Sequence, residues 1–264
     1  MTHPFDADTA LAGAGEGPRR AVVSERWFVE TGPNGGFMAA LATRALIDAA
    51  GGDDRSPRSL TLHFLAPPAA GELEVTAAVE RAGRSTTFAS LRIMQAGATV
   101  ALGLGCCAVW RGGQPEWDEL ERPQAPPPGE LAPLTRIPVA PRFLENYEMR
   151  PWPDPPGPAT AGGWIRTARP RAADPVLLAA LTDAWVPAAF LKMGEPSFVP
   201  TIDLTIHWRA PADSAPGEHP YVLGLFSTRL GAGGTWEEDG ELWSEDGVLL
   251  AQSRQLAIVR RPRR

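Results

Sequence analysis

Apolar and polar residues alternate along residues 72–81, with Leu73, Val75, Ala77 and Val79 on one parity and Glu72, Glu74, Thr76 and Ala78 on the other. Successive strand side chains point to opposite faces, so this pattern predicts a strand with one buried and one wet face. Further strands are predicted over 84–95 and 98–110, and strands that follow one another without helices between them make an antiparallel sheet. Upstream, residues 21–30 read as a short strand, and Gly32-Pro-Asn-Gly-Gly36 then breaks the chain. A helix is predicted over 37–50. Its face of Met38, Leu41, Ala42, Ala45 and Ala49 is extended by Phe37, Ala39, Ala40, Leu46 and Ile47, which leaves only Thr43, Arg44 and Asp48 as polar surface. A helix apolar nearly all round is a buried one.

The pattern then repeats. Leu60-Thr-Leu-His-Phe-Leu-Ala-Pro67 returns 144 positions later as Leu204-Thr-Ile-His-Trp-Arg-Ala-Pro211, with five identities and two conservative exchanges. After the second octet the chain again reads strand, turn, strand, turn, strand, over 221–229, 235–244 and 248–259. Self-similarity at a fixed offset marks two copies of one unit that pack on each other. Before the second octet, strands are predicted around 143–149 and 162–167. A second apolar helix is predicted over 175–191, interrupted by Pro187.

Thirteen of the 28 prolines lie between Pro115 and Pro158, a density that neither a helix nor a central strand tolerates. The expected organisation is one unit over 1–111, a proline-rich linker over 112–140 and a second unit over 141–264. One buried helix wrapped by a long antiparallel sheet, made twice, is an α+β arrangement.

Composition narrows the function classes. A net charge of −6 argues against a nucleic-acid partner, which needs clustered positive charge; the terminal Arg260-Arg-Pro-Arg-Arg264 reads as a solvated tail. No apolar run reaches the length that crosses a bilayer, and the first residues carry no basic-then-apolar leader, so a cytoplasmic protein with no membrane partner is expected. Cys106 and Cys107 are adjacent in a strand-like run and therefore point to opposite faces, which excludes an ordinary disulfide or a shared metal ion. With four scattered histidines, neither a metal nor a cofactor is expected. There is no glycine-rich phosphate loop, Gly-x-Ser-x-Gly elbow or His-Glu-x-x-His helix.

Candidate chemistry comes from the places where the two copies differ. Aligning the last strands on Gly97 and Gly247 pairs Gly105 with Gln255, an amide on a small, largely apolar strand face. Asp183 lies among Leu, Ala and Trp in the second helix, where a carboxylate caps something, pairs with something or has a raised pKa. Thr201 stands where the first copy has Pro57. Asp203 and His207 are four residues apart, and His207 has a counterpart in His63, which reads as architecture.

The chain resembles the double hot-dog acyl-CoA thioesterases, the group that includes bacterial acyl-CoA thioesterase II. The resemblance runs from about Trp27 to Val259 and is strongest in Pro200-Thr-Ile-Asp-Leu-Thr-Ile-His-Trp208 and in residues 240–255. It implies a double hot-dog fold, an acyl-CoA or related acyl thioester as substrate, and a water held by Asp183, Thr201 and Gln255. It also implies one active site per chain, with the first unit as scaffold and perhaps as wall of the acyl pocket, and it leaves room for a homodimer of the whole chain. The rival readings are a non-catalytic acyl-thioester binding protein and a hot-dog enoyl-CoA hydratase or dehydratase; the latter is weakened because hydratase relatives place their Asp and His five residues apart, not four.

Overall fold

A computed structural model describes residues 2–13, 17–52, 54–113, 117–135, 141–157, 159–193 and 199–259. The Arg260–Arg264 tail and parts of the proline-rich stretch lie outside the described residues. The strands are β1 (Arg19–Val23), β2 (Arg55–Phe64), β3 (Gly71–Ala82), β4 (Thr86–Gln95), β5 (Ala98–Val109), β6 (Tyr147–Pro151), β7 (Thr160–Thr167), β8 (Thr201–Trp208), β9 (Val222–Ser227), β10 (Gly231–Ala232), β11 (Thr235–Ser244) and β12 (Leu249–Ile258). The helices are α1 (Pro4–Asp8), α2 (Gly35–Ala50), α3 (Pro175–Leu181) and α4 (Phe190–Met193).

All twelve strands form one antiparallel sheet in the order β1-β3-β4-β5-β2-β8-β12-β11-β9-β7-β6, with β10 attached to β11. The fold is a double hot-dog. The two copies meet at β2 and β8, where Thr61 pairs with Thr205, Ser59 with His207 and His63 with Asp203. Under the 144-residue offset the threonine pair maps onto itself and the other two pairs map onto each other, so a pseudo-twofold axis passes between the two threonines, whose hydroxyls lie 3.0 Å apart. The repeated octet is therefore the seam of the molecule, and its likeness in the two copies follows from each being the other's neighbour.

On the concave face the sheet wraps α2 and α3. Phe37, Leu41 and Leu46 of α2 are fully buried, each contributing about 1.5–3 kcal/mol by leaving water. Trp27 stacks on Phe37 at 4.9 Å between ring centroids. Asn34 caps α2, its Oδ1 accepting from Phe37 N, and Gly51 ends the helix at φ 60°. Gly36 lets α2 approach α3: a Cβ there would overlap the Ala180 carbonyl oxygen.

Three expectations need correction. The strand expected over 21–30 ends at Val23 and continues as a 3-10 turn, Glu25–Trp27. The one expected from 143 begins as a 3-10 turn, Arg142–Asn146, with the strand only from Tyr147. The helix expected over 175–191 ends at Leu181, and a separate turn, α4, follows. In a continued helix the Asp183 carbonyl would bond to the N–H of residue 187, which proline lacks. The Asn34 side-chain amide donates to that carbonyl instead, at 2.7 Å.

The stretch from Arg122 to Leu131 lies on the outer face of the second copy. Leu131 packs with Trp164, Tyr221, Leu223, Leu225 and Trp243, and Trp164 Nε1 donates to the Pro126 carbonyl. Arg150 donates to the carbonyls of Pro128 and Leu131. Proline-rich chain thus covers an apolar sheet face here and does not simply span a gap. No helix among the described residues is long and apolar enough to cross a membrane.

Candidate active site

Asp183 sits in the turn just beyond α3, not inside the helix. Its Oδ2 accepts from Asn34 Nδ2 at 2.9 Å and from the Gly36 backbone N–H at 3.1 Å. Both donors belong to the first copy, so the carboxylate faces the N-terminus of α2, where unpaired N–H groups and the helix dipole favour negative charge. Burial nonetheless dominates and pushes the Asp183 pKa up to about 6, against the opposing donors Gly36, Gln255, Gly35 and Asn34.

The other two sequence-predicted residues meet on neighbouring strands. Thr201 opens β8 and its hydroxyl donates to Gln255 Oε1 at 2.8 Å. Gln255 lies on the concave face of β12, buried to 5% exposure. One of its Nε2 hydrogens goes to Glu238 Oε1 at 2.7 Å, and its side-chain amide is among the groups that favour the charged form of Asp183. Gln255 thus holds Thr201 at its oxygen and Glu238 at its nitrogen. An amide buried this deeply is expected to have every group satisfied, and here both ends are.

Register explains the difference between the copies. Leu60 pairs with Gly105 as Leu204 pairs with Gln255, so the positions are structurally equivalent. A Cβ on Gly105 would meet Leu46 Cδ2 at 2.5 Å, because the sixteen-residue α2 runs over that point. The seven-residue α3 stops short and leaves the same point of the second copy to polar side chains.

Two further groups escaped the sequence reading. Asn34 could have been found as the polar residue ahead of an apolar run, the usual sign of a helix cap. Glu238 was hidden because Glu237 and Glu238 are adjacent on one strand, so one of them must face inward. Glu238 is 4% exposed, and burial raises its pKa to about 8, with the Asp183 and Glu237 carboxylates adding to the effect and the Ala188 N–H and Gln255 amide opposing it. Just beyond Pro187, the Ala188 N–H donates to Glu238 Oε2 at 2.7 Å.

Asp203 and His207 lie at the seam, paired with His63 and Ser59, on the parity opposite Leu204 and Ile206, which are buried in the core. They face away from Asp183, which removes the arrangement that a hydratase reading would use.

The fold places the chain in the class of hot-dog proteins, and comparison gives the family. Residues 23–108 match the acyl-CoA thioesterase N-terminal domain and residues 118–259 the acyl-CoA thioesterase C-terminal domain. The chain belongs to this acyl-CoA thioesterase family. Among solved structures it is similar to a conserved hot-dog protein of unknown function from Alicyclobacillus acidocaldarius, at 29% identity and TM-score 0.89 over 100% of both chains. A protein from Thermobifida fusca, provisionally described as a thioesterase II, shares 25% identity at TM-score 0.85 over 98% of each chain. The acyl-CoA thioesterase II TesB2 of Mycobacterium marinum shares the fold, at 21% identity and TM-score 0.78 over 98% of each chain. No curated protein matches the chain.

Proposed function

We propose that this protein hydrolyses acyl-CoA, or a related acyl thioester, to a carboxylic acid and a thiol, using a water activated by Asp183, Thr201 and Gln255. The observation that carries the reading is the cluster at Gln255, whose oxygen accepts from Thr201 and whose amide is among the groups that favour the charged form of Asp183. Family membership supports it independently.

Asp183 is the general base. With a pKa of about 6 it is ionised at neutral pH yet basic enough to take a proton as water attacks the thioester carbonyl, which is the balance a base needs. Thr201 donates its proton to Gln255, which leaves the hydroxyl oxygen as an acceptor for the water's second hydrogen. Attack forms a C–O bond and moves the carbonyl electrons onto oxygen. The Gln255 N–H not given to Glu238 and the positive end of α2 are the donors for that charge. Collapse expels the thiolate, a good leaving group, so the site works without a histidine, a metal or a covalent nucleophile. Gly105 and Pro57 lack these functions, which leaves one such centre per chain. The first copy supplies more than scaffold, since Asn34 and Gly36 bind the base.

A thiol-release assay across acyl-CoA chain lengths tests the proposal. Turnover of at least one acyl-CoA is expected, and tight binding of acyl-CoA with no thiol release would instead make the protein a non-catalytic thioester binder. The reading places the reaction in the cytoplasm with no partner beyond the substrate and a second copy of the chain.

A further inference from the structure

We propose that Glu238 is a positioning residue that sets which way the Gln255 amide faces; the inference rests on the role given to Gln255 above. A side-chain amide is nearly symmetric in shape, and only its partners decide which end carries oxygen. Thr201 cannot decide it, because a hydroxyl both donates and accepts. Glu238 can. Its Oε1 accepts from Gln255 Nε2 at 2.7 Å and its Oε2 is held by the Ala188 N–H at 2.7 Å. The second contact fixes the carboxyl plane from the segment that follows Asp183, so three elements, β11, β12 and the turn after α3, converge on one carboxyl group.

The two residues also occur as a pair. Glu238 stands opposite Gln255 across β11 and β12, and the equivalent pair in the first copy is Ala89 opposite Gly105. Where the amide is absent, so is the carboxyl. A buried carboxyl group beside two other acids is costly to ionise, and Glu238 has Asp183 and Glu237 as its charged neighbours. An apolar residue, as in the first copy, satisfies the sheet as well. What Glu238 adds is an oxygen aimed at the amide nitrogen. With the nitrogen held there, the Gln255 oxygen faces Thr201 and its second N–H is left unclaimed by Glu238, the orientation in which the amide can serve the water and the developing oxyanion.

The test uses the full chain at pH 8.5, where Glu238 is mostly ionised, in four forms, wild type, E238L, Q255A and E238L/Q255A, with E238Q replacing E238L if the latter does not fold. Two readouts are taken. In 15N–1H spectra the Gln255 side-chain amide pair is identified as the one missing from Q255A. It is expected to be resolved and slowly exchanging in wild type, and shifted or broadened by exchange in E238L. In thiol release, E238L is expected to lower kcat about tenfold with KM changed less than twofold, and the double variant to match Q255A within twofold. A residue acting only through Gln255 has nothing left to affect once that side chain is gone. An unchanged Gln255 amide in folded E238L overturns the proposal, and so does multiplication of the two losses in the double variant. A wild-type protein that releases no thiol overturns the hydrolase reading instead, and the amide spectrum still decides the positioning role.

Discussion

Asp183→Asn separates the cost of the buried charge from its use. The substitution keeps an oxygen for the Gly36 and Asn34 donors, now at 3.1 and 2.9 Å, and removes the ionisation. In the wild type the folded-state pKa of about 6 lies above the ordinary 3.8. A raised acid contributes stability that is fully present below pH 3.8 and is lost as pH climbs through about 6. The difference is worth about 3 kcal/mol. Asp183→Asn does not ionise, so its stability relative to wild type should rise across that window and level off above it, as read from urea midpoints at pH 4 and pH 7.5. Activity should move the other way. An amide cannot take the water's proton, so kcat should fall about 10²-fold or more. In the wild type, kcat/KM should drop about tenfold per pH unit below about 6, because the protonated acid is no base, and that limb should vanish in the variant. A folded Asp183→Asn protein within threefold of wild-type turnover, or a wild-type profile flat from pH 4.5 to 7.5, would refute the assignment of Asp183 as base.

Three other substitutions probe the supports of the site. Asn34→Ala removes a donor to the carboxylate and the cap of α2; it should cost about 1 kcal/mol of stability and move the acid limb of kcat/KM above 6, since losing a donor disfavours the charged form. A limb that stays or moves down counts against the contact. Gly36→Ala drives a methyl into the Ala180 carbonyl and should destabilise by about 1–3 kcal/mol, with a lower kcat because the α2 N–H groups move off Asp183. Unchanged thermal stability would mean that the two helices are not tightly apposed. Gln255→Ala should lower kcat with little change in KM, as expected for an amide that acts mainly in the transition state; a pure KM effect speaks for substrate binding alone.

Much of this was legible in the sequence, for identifiable reasons. The octet repeat revealed two packed copies because the seam strands β2 and β8 pair with each other about a twofold axis and so experience the same environment, while the hot-dog fold was implied by the family resemblance. Aligning Gly105 with Gln255 from sequence agrees with the strand register because both final strands hang from equivalent glycine turns, at Gly97 and Gly247, each with positive φ. The end of α3 was not legible. Residues 182–191 remain apolar enough to continue a helix, and the partner that replaces the missing proline N–H is Asn34, 149 positions away. Glu238 was missed for a different reason: its significance lies in which of two adjacent carboxylates faces Gln255, a matter of register that appears only when β11 is laid against β12.

The central claim is direct attack by water on the thioester within the Asp183, Thr201 and Gln255 cluster, and oxygen-18 labelling reaches it most directly. Enzyme in excess over an acyl-CoA that the wild type turns over is allowed a single turnover in H2 18O. The account predicts one labelled oxygen in the carboxylic acid from the first turnover and no label in the protein. Unlabelled acid with oxygen-18 incorporated at Asp183 would mean that the carboxylate itself forms a covalent acyl intermediate, and would contradict the claim.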